Sequence, residues 1–301
     1  MVFNPAAGRH PQRRREQLGQ LQQALRARGW DLETSERAGT ELARDVEVVL
    51  GCGGDGTLHA LAQMVAGAEE RGERVPALGV APPLGTANIL AHALGCPAQP
   101  HAAAAWLTRA WERGGRRLRL GVAEAIERRT VARPPLAAGV AGRRYFLAIA
   151  GVGYDAALVA GMREESKRRW GKLAFAASAC VGWRRYFPAP LEVESGTGTS
   201  TKADGVLFSL TRFYGGRLRL GRLGAEEKAL VLLLRGAPRM LALQGLALLS
   251  AGLEHAPGVE RLQVNGVAVV TPGRPFQLDG EAAGVTPVRL GLAERGIAFV
   301  C

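Results

Sequence analysis

The stretch LGCGGDGTLHAL, residues 50–61, joins an apolar run to a segment with helical periodicity. A glycine-rich loop between a strand and a helix presents backbone N–H groups at the positive end of the helix, where a phosphate can bind. Glycines also allow close approach of the backbone because they lack Cβ. The stretch matches neither the Walker A pattern nor G-x-G-x-x-G. By itself it predicts either a phosphate-binding loop or only a tight turn.

The composition is typical of a soluble globular protein with a large excess of basic residues. The chain has 301 residues, enough for two domains, with 47% apolar and 22% charged residues. The net charge of +12 favours anionic partners such as nucleic acid, nucleotide phosphates or an acidic membrane surface. The alternative is that the arginines only solvate the surface.

Cysteine spacing and hydropathy exclude several classes of protein. The four cysteines show no C-x-x-C spacing, which argues against a zinc site or a disulfide framework and for a reducing compartment. The N-terminus has no signal pattern, and the longest apolar candidate, 229–253, is interrupted by Arg235, Pro238 and Arg239. We therefore expect a cytoplasmic protein whose membrane contact, if any, is peripheral.

Short strands alternate with amphipathic helices up to about residue 115. Residues 46–50 and 77–81 are compact apolar runs typical of strands, and the leucines of 11–28 repeat at helical spacing. This alternation predicts parallel β-α-β units, whose ligands bind beyond the carboxyl ends of the strands. We expect an α/β domain over residues 1–117.

The remaining residues, 118–301, predict a second, mainly β domain. Strand-like segments separated by Gly and Pro turns occur at 118–126, 145–150, 205–210, 229–234, 259–270 and 297–300. Two helices are predicted among them, at about 163–182 and 238–252. The last strand can return to the first domain.

Two further loops of the same kind follow predicted strands in the first domain. One is PLGTAN, residues 83–88, in which Thr86 or Asn88 could hydrogen-bond a phosphate or cap the next helix. The other is NPAAGR, residues 4–9. Because the carboxyl ends of parallel strands meet at one edge of a sheet, all three loops are expected to open on that edge.

Together, NPAAG at 4–8, GGDGT at 53–57, PLGTAN at 83–88 and DGE at 279–281 resemble the diacylglycerol kinase catalytic domain family. GGDGT alone is shared with NAD kinases and phosphofructokinases, whereas the combination is more specific. The resemblance implies a Rossmann-like N-terminal domain of the NAD kinase and diacylglycerol kinase type, which holds the nucleotide. It also implies a C-terminal β-sandwich domain for the lipid substrate.

The resemblance implies an ATP- and Mg²⁺-dependent kinase that transfers the γ-phosphate of ATP to a lipid hydroxyl such as that of diacylglycerol. Glu281 would accept the hydroxyl proton, with Asp279 the next choice, and Asp55 would serve the magnesium ion or proton handling. Without the resemblance, D-G-E is more simply a β-turn. The implied ATP-binding residues are Asn4, Gly8, Ser35, Gly53, Gly54, Asp55, Gly56, Thr57 and Thr86.

Several positions depart from the family pattern. Ile89 and Arg119 stand where acids are frequent, and AEEKAL, residues 225–230 with Lys228, replaces a metal-binding loop. Two alternatives therefore stay open: a soluble-substrate kinase of the NAD kinase type, and a catalytically weak homologue that binds nucleotide or lipid. We expect peripheral contact with an anionic membrane and no nucleic-acid binding. The basic segment at 163–170 could rest on that membrane or could form only a solvated helix face. A homodimer stays open.

Overall fold

The chain divides into two units, one formed by Met1–Leu120 with Glu294–Cys301 and the other by Gly121–Ala293. The helix predicted at 163–182 and the basic segment at 163–170 lie outside the described residues, as do residues 238–243 and 246 of the helix predicted at 238–252. The computed structural model describes residues 1–5, 11–36, 45–85, 87–126, 142–161, 190–196, 198–223, 227–236, 244–245 and 247–301.

Parallel pairing organises the first unit. Its elements are β1 (Val2–Phe3), α1 (Pro11–Arg26), β2 (Val48–Cys52), α2 (Asp55–Glu70), β3 (Ala77–Val80), α3 (Ile89–Leu94), α4 (Pro100–Glu112) and the start of β4 (Arg116–Ala125). Strand β2 pairs in parallel with β1 and β3, and residues 299 and 300 pair in parallel with β3. The carboxyl ends of β1, β2 and β3 therefore lie at one edge of the sheet.

Apolar faces pack the helices of this unit. Leu18, Leu21 and Leu25 of α1 are buried, as the helical spacing predicts. Helix α2 lies so close to β2 that a Cβ on Gly51 would come within 2.5 Å of the Leu58 Cδ2 atom. Glycine at position 51 is thus required by the approach of the helix that begins the candidate phosphate site.

Antiparallel strands make up most of the second unit. Its elements are β5 (Arg143–Phe146), β6 (Ile149–Gly153), α5 (Tyr154–Gly161), β7 (Leu191–Ser195), β8 (Ser200–Ala203), β9 (Gly205–Ser209), β10 (Phe213–Tyr214), β11 (Leu218–Arg219), β12 (Leu230–Leu234), a 3-10 turn (Leu253–His255), β13 (Val259–Leu262), β14 (Gly266–Val269), β15 (Pro275–Leu278), β16 (Glu281–Val285) and β17 (Val288–Val300), the last of which ends in the first unit.

Two groups of paired strands enclose a core in this unit. Six strands form a sheet in the order β13-β12-β9-β6-β15-β16. In the other group, β14 pairs with β7 and with the first part of β17, and β7 pairs with β8. Val206 and Phe208 of β9 lie in one buried cluster with Leu191 and Val193 of β7. The prediction of a mixed α/β fold with a strand-rich C-terminal region is confirmed.

Two of the predicted strands are wrong in extent. The single strand predicted at 145–150 is two strands, β5 and β6, separated by a bend at Leu147 and Ala148. The strand predicted at 259–270 is also two, because β13 pairs with β12 whereas β14 pairs with β7 and β17. Hydrophobic periodicity alone does not reveal where consecutive strands change partner.

The sequence predicts that any membrane contact is peripheral, and the helices of the structure can be compared with that prediction. In the part of the chain that the structure describes, none of them has both the length and the apolar character needed to cross a bilayer.

Candidate functional site

The glycine loop after β2 leads directly into the N-terminus of helix α2. Strand β2 ends at Cys52, and Gly54 is the N-cap residue, with an extended backbone (φ −94°, ψ −171°). The Gly54 carbonyl accepts hydrogen bonds from the N–H groups of Thr57 (3.0 Å) and Leu58 (3.3 Å). Within the described residues, no side chain caps this helix at Gly54. The positive end of the helix dipole thus meets a loop without side-chain bulk, as an anion site requires.

Thr57 supplies a buried polar group to this loop. Its Oγ1 atom is buried and has no hydrogen-bond partner among the described residues. A Cβ on Gly53 would lie 2.2 Å from that oxygen, so the glycine leaves room for the hydroxyl. A buried hydroxyl without a partner is costly, about 1–3 kcal/mol, and an acceptor supplied by a ligand removes that cost. The loop therefore fits a group with phosphate-like oxygens.

The second glycine loop touches the first, backbone against backbone. A Cβ on Gly85 would lie 2.5 Å from the Gly54 Cα atom. Asn88, in the left-handed conformation (φ 50°), closes the second loop: its Oδ1 accepts the Gly85 N–H (2.8 Å) and its Nδ2 donates to the Gly85 carbonyl (2.7 Å). The Asn88 side chain therefore shapes the loop and does not cap helix α3, which was one of the two roles predicted for it.

Asp55 connects the two loops. It is the first residue of α2, where a carboxylate interacts favourably with the helix dipole. Its Oδ1 accepts the N–H of Leu90 (3.4 Å), in the first turn of α3. One carboxylate at this place, next to a loop that fits phosphate, suits Mg²⁺, which proteins commonly bind through one or two carboxylates together with substrate phosphates.

The start of the chain joins the same edge of the sheet through its backbone. The N–H of Asn4 donates to the Cys52 carbonyl (3.2 Å), which ties the first loop to the end of β2. Ser35 pairs with β1, because its carbonyl accepts the Phe3 N–H (2.8 Å). Asn4 and Ser35 therefore lie next to the strands that carry the glycine loops.

Arg14 is a buried residue of this region that the sequence analysis missed. Only 5% of its surface is exposed, and its guanidinium donates to the carbonyls of Pro5 (2.9 Å) and Asn4 (3.4 Å). The basic run 13–15 offers three equivalent candidates in the sequence, and the arginines on either side of Arg14 are exposed. One signal in the sequence did indicate that Arg14 is the buried one. Helical periodicity puts position 14 on the same helix face as Leu18, Leu21 and Leu25.

Replacing Arg14 with methionine is expected to destabilise the protein. The partly buried carbonyls of Asn4 and Pro5 would lose charged hydrogen bonds, which we expect to cost about 1–3 kcal/mol of unfolding free energy. Arg15→Met is the matched control, because Arg15 is exposed and its loss should change stability by about 0.5 kcal/mol or less. Urea unfolding measures both, and equal midpoints for the two variants would contradict the role of Arg14.

The D-G-E motif of the second unit forms a hairpin turn. Leu278 of β15 pairs with Glu281 of β16, and the two residues between them, Asp279 and Gly280, have φ values of 51° and 85°. Positive φ at both central positions is the mark of a type I′ turn. The β-turn interpretation of this motif is therefore correct for the backbone, and it leaves the Glu281 side chain exposed at the start of a strand.

The Asp279 carboxylate is held by three backbone amides. Its oxygens accept the N–H groups of Leu147 (2.8 Å), Ala148 (2.8 Å) and Ile149 (3.0 Å). The amides of Leu147 and Ala148 form the bend that separates β5 from β6, and the amide of Ile149 belongs to the first residue of β6. Asp279 thereby fixes the turn to the neighbouring strand, while Glu281 projects beyond it.

The sequence-predicted site residues are distributed over both units. Gly8 and Thr86 lie outside the described residues. Glu281 and Asp279 lie in the second unit. The first unit contains the other predicted residues, which are gathered at the carboxyl ends of β1 and β2: Asn4, Ser35, Gly53, Gly54, Asp55, Gly56 and Thr57.

Of the positions that depart from the family pattern, Ile89, Arg119 and Lys228 carry no carboxylate. Ile89 is buried in the first turn of α3, whereas Arg119 and Lys228 are exposed. The described residues hold no group of three or more His, Cys, Asp and Glu side chains suited to a metal ion.

Comparison with known families identifies the first part of the chain. Residues 1–116 match the model of the diacylglycerol kinase catalytic domain. A curated protein described as a probable lipid kinase, YegS-like, from Stenotrophomonas maltophilia (strain K279a) is 39% identical over 82 residues. That match spans 27% of this chain and 26% of the relative, so only about a quarter of the relative's length is covered.

Comparison with solved structures covers the whole fold. A crystal structure of a candidate diacylglycerol kinase from Bacillus anthracis str. Sterne matches 97% of this chain and 92% of its own, with a TM-score of 0.68 and 18% identity. A crystal structure of a diacylglycerol kinase from the same organism covers 99% of this chain and 94% of its own, with a TM-score of 0.64 and 15% identity. At these identities the similarity is one of fold.

Proposed function

We propose, from the premise that residues 1–116 belong to the diacylglycerol kinase catalytic domain family, that this chain is an ATP-dependent lipid kinase. It would transfer the γ-phosphate of ATP to a lipid hydroxyl such as that of diacylglycerol. The observation that carries the proposal is the buried Thr57 hydroxyl, which has no partner among the described residues and lies in a glycine loop at a helix N-terminus. That arrangement favours a phosphate-bearing substrate over a merely structural turn.

The first unit would hold the nucleotide. Backbone N–H groups of residues 53–56 and the Thr57 hydroxyl would donate to phosphate oxygens, and Asn4, Gly8, Ser35 and Thr86 would complete the proposed nucleotide contacts. The Asp55 carboxylate would hold Mg²⁺, which neutralises charge that develops on the phosphate oxygens during transfer. The Leu90 N–H keeps that carboxylate oriented toward the second loop.

The second unit would activate the acceptor. The lipid hydroxyl oxygen forms a bond to the γ-phosphorus, the bond from that phosphorus to the leaving oxygen of ADP breaks, and the hydroxyl proton passes to the Glu281 carboxylate. Such a general base contributes roughly 10²- to 10⁴-fold to the rate. Glu281 suits this role better than Asp279, because the Asp279 oxygens already accept three backbone N–H groups and Glu281 is exposed.

Charge supports a site of action at a membrane surface. The net charge of +12 attracts the protein to anionic lipid, and Arg116, Arg117 and Arg119 are exposed on β4. We therefore propose a cytoplasmic protein that binds anionic membranes peripherally, where its acceptor lipid is found. Homodimer formation is a further proposal, which the sedimentation of the purified protein would test.

Label transfer from ATP tests this function. The protein is incubated with Mg²⁺, ATP labelled in the γ-phosphate, and anionic vesicles that contain diacylglycerol and other hydroxylated lipids; a parallel sample contains NAD instead of vesicles. We expect label in the organic extract and none on NAD. Label on NAD alone would indicate a kinase of the NAD kinase type, and ATP binding without label in either sample would indicate a catalytically silent homologue.

A further inference from the structure

A buried carboxylate lies behind the D-G-E turn and takes no part in the reaction proposed above. Asp155, in the first turn of α5, is only 4% exposed. Its Oδ1 accepts a hydrogen bond from the Tyr214 hydroxyl, and its Oδ2 accepts one from Gln277 Nε2 (2.8 Å). Burial raises the pKa of the Asp155 carboxyl, and the hydrogen bonds from Tyr214 and Gln277 act in the opposite direction. Burial of a carboxylate costs desolvation free energy that an apolar residue at this position would avoid, which indicates that the carboxylate has a specific role.

Gln277 connects this carboxylate to the turn. Its side chain is 1% exposed and lies on β15, two residues before Asp279. While Nε2 donates to Asp155, Oε1 accepts the N–H of Gly280 (2.7 Å). A carboxylate can only accept, so Asp155 determines which end of the Gln277 amide points toward Gly280. The hydrogen bonds therefore run from a buried carboxylate to the peptide group that joins Asp279 to Gly280.

The neighbouring strand is shaped to accommodate this pair. Gly151 of β6 is the ladder partner of Gln277. A Cβ at position 151 would lie 1.8 Å from Asp155 Oδ2 and 3.0 Å from Gln277 Nε2. Only glycine leaves space for the two side chains to meet. The G-V-G-Y-D segment thus provides both the carboxylate and the gap in which it meets Gln277.

We propose that Asp155 and Gln277 are positioning residues that hold the Asp279–Gly280 turn, and with it the Glu281 carboxylate, in the geometry that phosphoryl transfer needs. Asp279 fixes one side of the turn to the backbone amides of 147–149, and Gln277 fixes the other side through Gly280. The inference rests on the proposed function, since it assigns to these residues the placement of the proton acceptor. Neither residue contacts the reacting atoms.

Two variants remove the link from different ends. Gln277→Met removes both hydrogen bonds at nearly constant volume. Asp155→Asn keeps the side-chain shape but leaves one acceptor oxygen for two donors, Tyr214 and Gln277. This variant serves as the test if Gln277→Met does not fold. Gln244→Met is the matched control: Gln244 is also buried (4% exposed) in the second unit, and its Nε2 donates to the carbonyls of Arg235 and Pro257 (both 3.2 Å).

Steady-state kinetics and hydrogen exchange of the Gly280 amide are measured on the full chain with ATP and diacylglycerol vesicles. We expect kcat to fall roughly tenfold to a hundredfold in Gln277→Met and Asp155→Asn, with the KM for ATP unchanged, because a displacement of about 1 Å costs up to ~10²-fold in rate. The Gly280 amide should exchange faster in both. Gln244→Met should lower the melting temperature while kcat and the Gly280 exchange rate stay as in the wild type.

Equal losses of kcat in Gln277→Met and Gln244→Met, or an unchanged kcat with faster Gly280 exchange, would overturn the positioning role and leave the kinase proposal intact. A wild-type protein that transfers no phosphate to any lipid would instead overturn the proposed function, and the positioning role with it. The two failures are thus distinguishable by the activity of the unmodified chain.

Discussion

Replacing Glu281 with glutamine is expected to slow lipid phosphorylation at least ~10²-fold while ATP binding is retained. Glutamine has nearly the same shape, but it cannot accept the hydroxyl proton. We expect kcat to fall by roughly 10²- to 10⁴-fold, which is the range for loss of a general base. The dissociation constant of ATP should not change, because the proposed nucleotide contacts are made by residues other than Glu281. Label transfer gives kcat, and calorimetric titration gives the Kd.

The control for this substitution is Glu194→Gln. Glu194 is an exposed glutamate on β7, in the same unit, and it belongs to no predicted site. It should leave kcat and the Kd of ATP unchanged. A Glu281→Gln protein that retains more than about a tenth of the wild-type kcat would show that another group accepts the proton or that none is needed, since a general base contributes at least ~10²-fold.

Replacing Gly85 with alanine should weaken ATP binding strongly. The new Cβ would lie 2.5 Å from the Gly54 Cα atom and 2.8 Å from Asn88 Oδ1, so the two glycine loops have to separate. Backbone N–H groups that approach the phosphates would then be displaced. Loss of one hydrogen bond to a charged group costs about 1.5–3 kcal/mol. This corresponds to a Kd for ATP that is weaker by roughly tenfold to a hundredfold.

Gly67→Ala provides the comparison for Gly85→Ala. Gly67 lies within α2, where a Cβ added to it would be 3.6 Å from the Arg71 Nη1 atom, which is an ordinary contact distance. Alanine there should stabilise the helix by about 0.5–1 kcal/mol and leave the Kd of ATP unchanged. Titration of both variants with ATP decides the point: equal affinities would mean that the contact between the two loops plays no part in nucleotide binding.

Local sequence patterns predicted the alternating strands and helices of the first unit well. The apolar run before Gly51 and the leucine repeat of α1 are strong periodic signals, and both have the predicted type. Glycine spacing also indicated loops at the carboxyl ends of β2 and β3. The close contact between Gly54 and Gly85 could not be predicted from the sequence, because two loops that are 31 positions apart in the chain meet only when the sheet has formed.

Buried polar residues were the least predictable part of the molecule. Arg14 is the same residue type as its exposed neighbours in sequence. The hydrogen bonds that lead from Asp155 through Gln277 to Gly280 join residues far apart in sequence. His59, which had no interpretation in the opening motif, is buried in α2 with a ring nitrogen 3.2 Å from Gln63 Nε2. The hydrogen-bond partners of Arg14 and Gln277 become neighbours only in the folded chain, so residue type does not specify them, whereas the contact between His59 and Gln63 is local to one helix.

Mass spectrometry of the lipids tests the central claim most directly. A total bacterial lipid extract is dispersed in vesicles and incubated with Mg²⁺, ATP and either the wild-type protein or Glu281→Gln. The account predicts that at least one hydroxylated lipid is converted, only by the wild type, to a species heavier by one phosphoryl group. Lipid profiles that are identical in the two samples, from a wild-type protein that binds ATP, would contradict it.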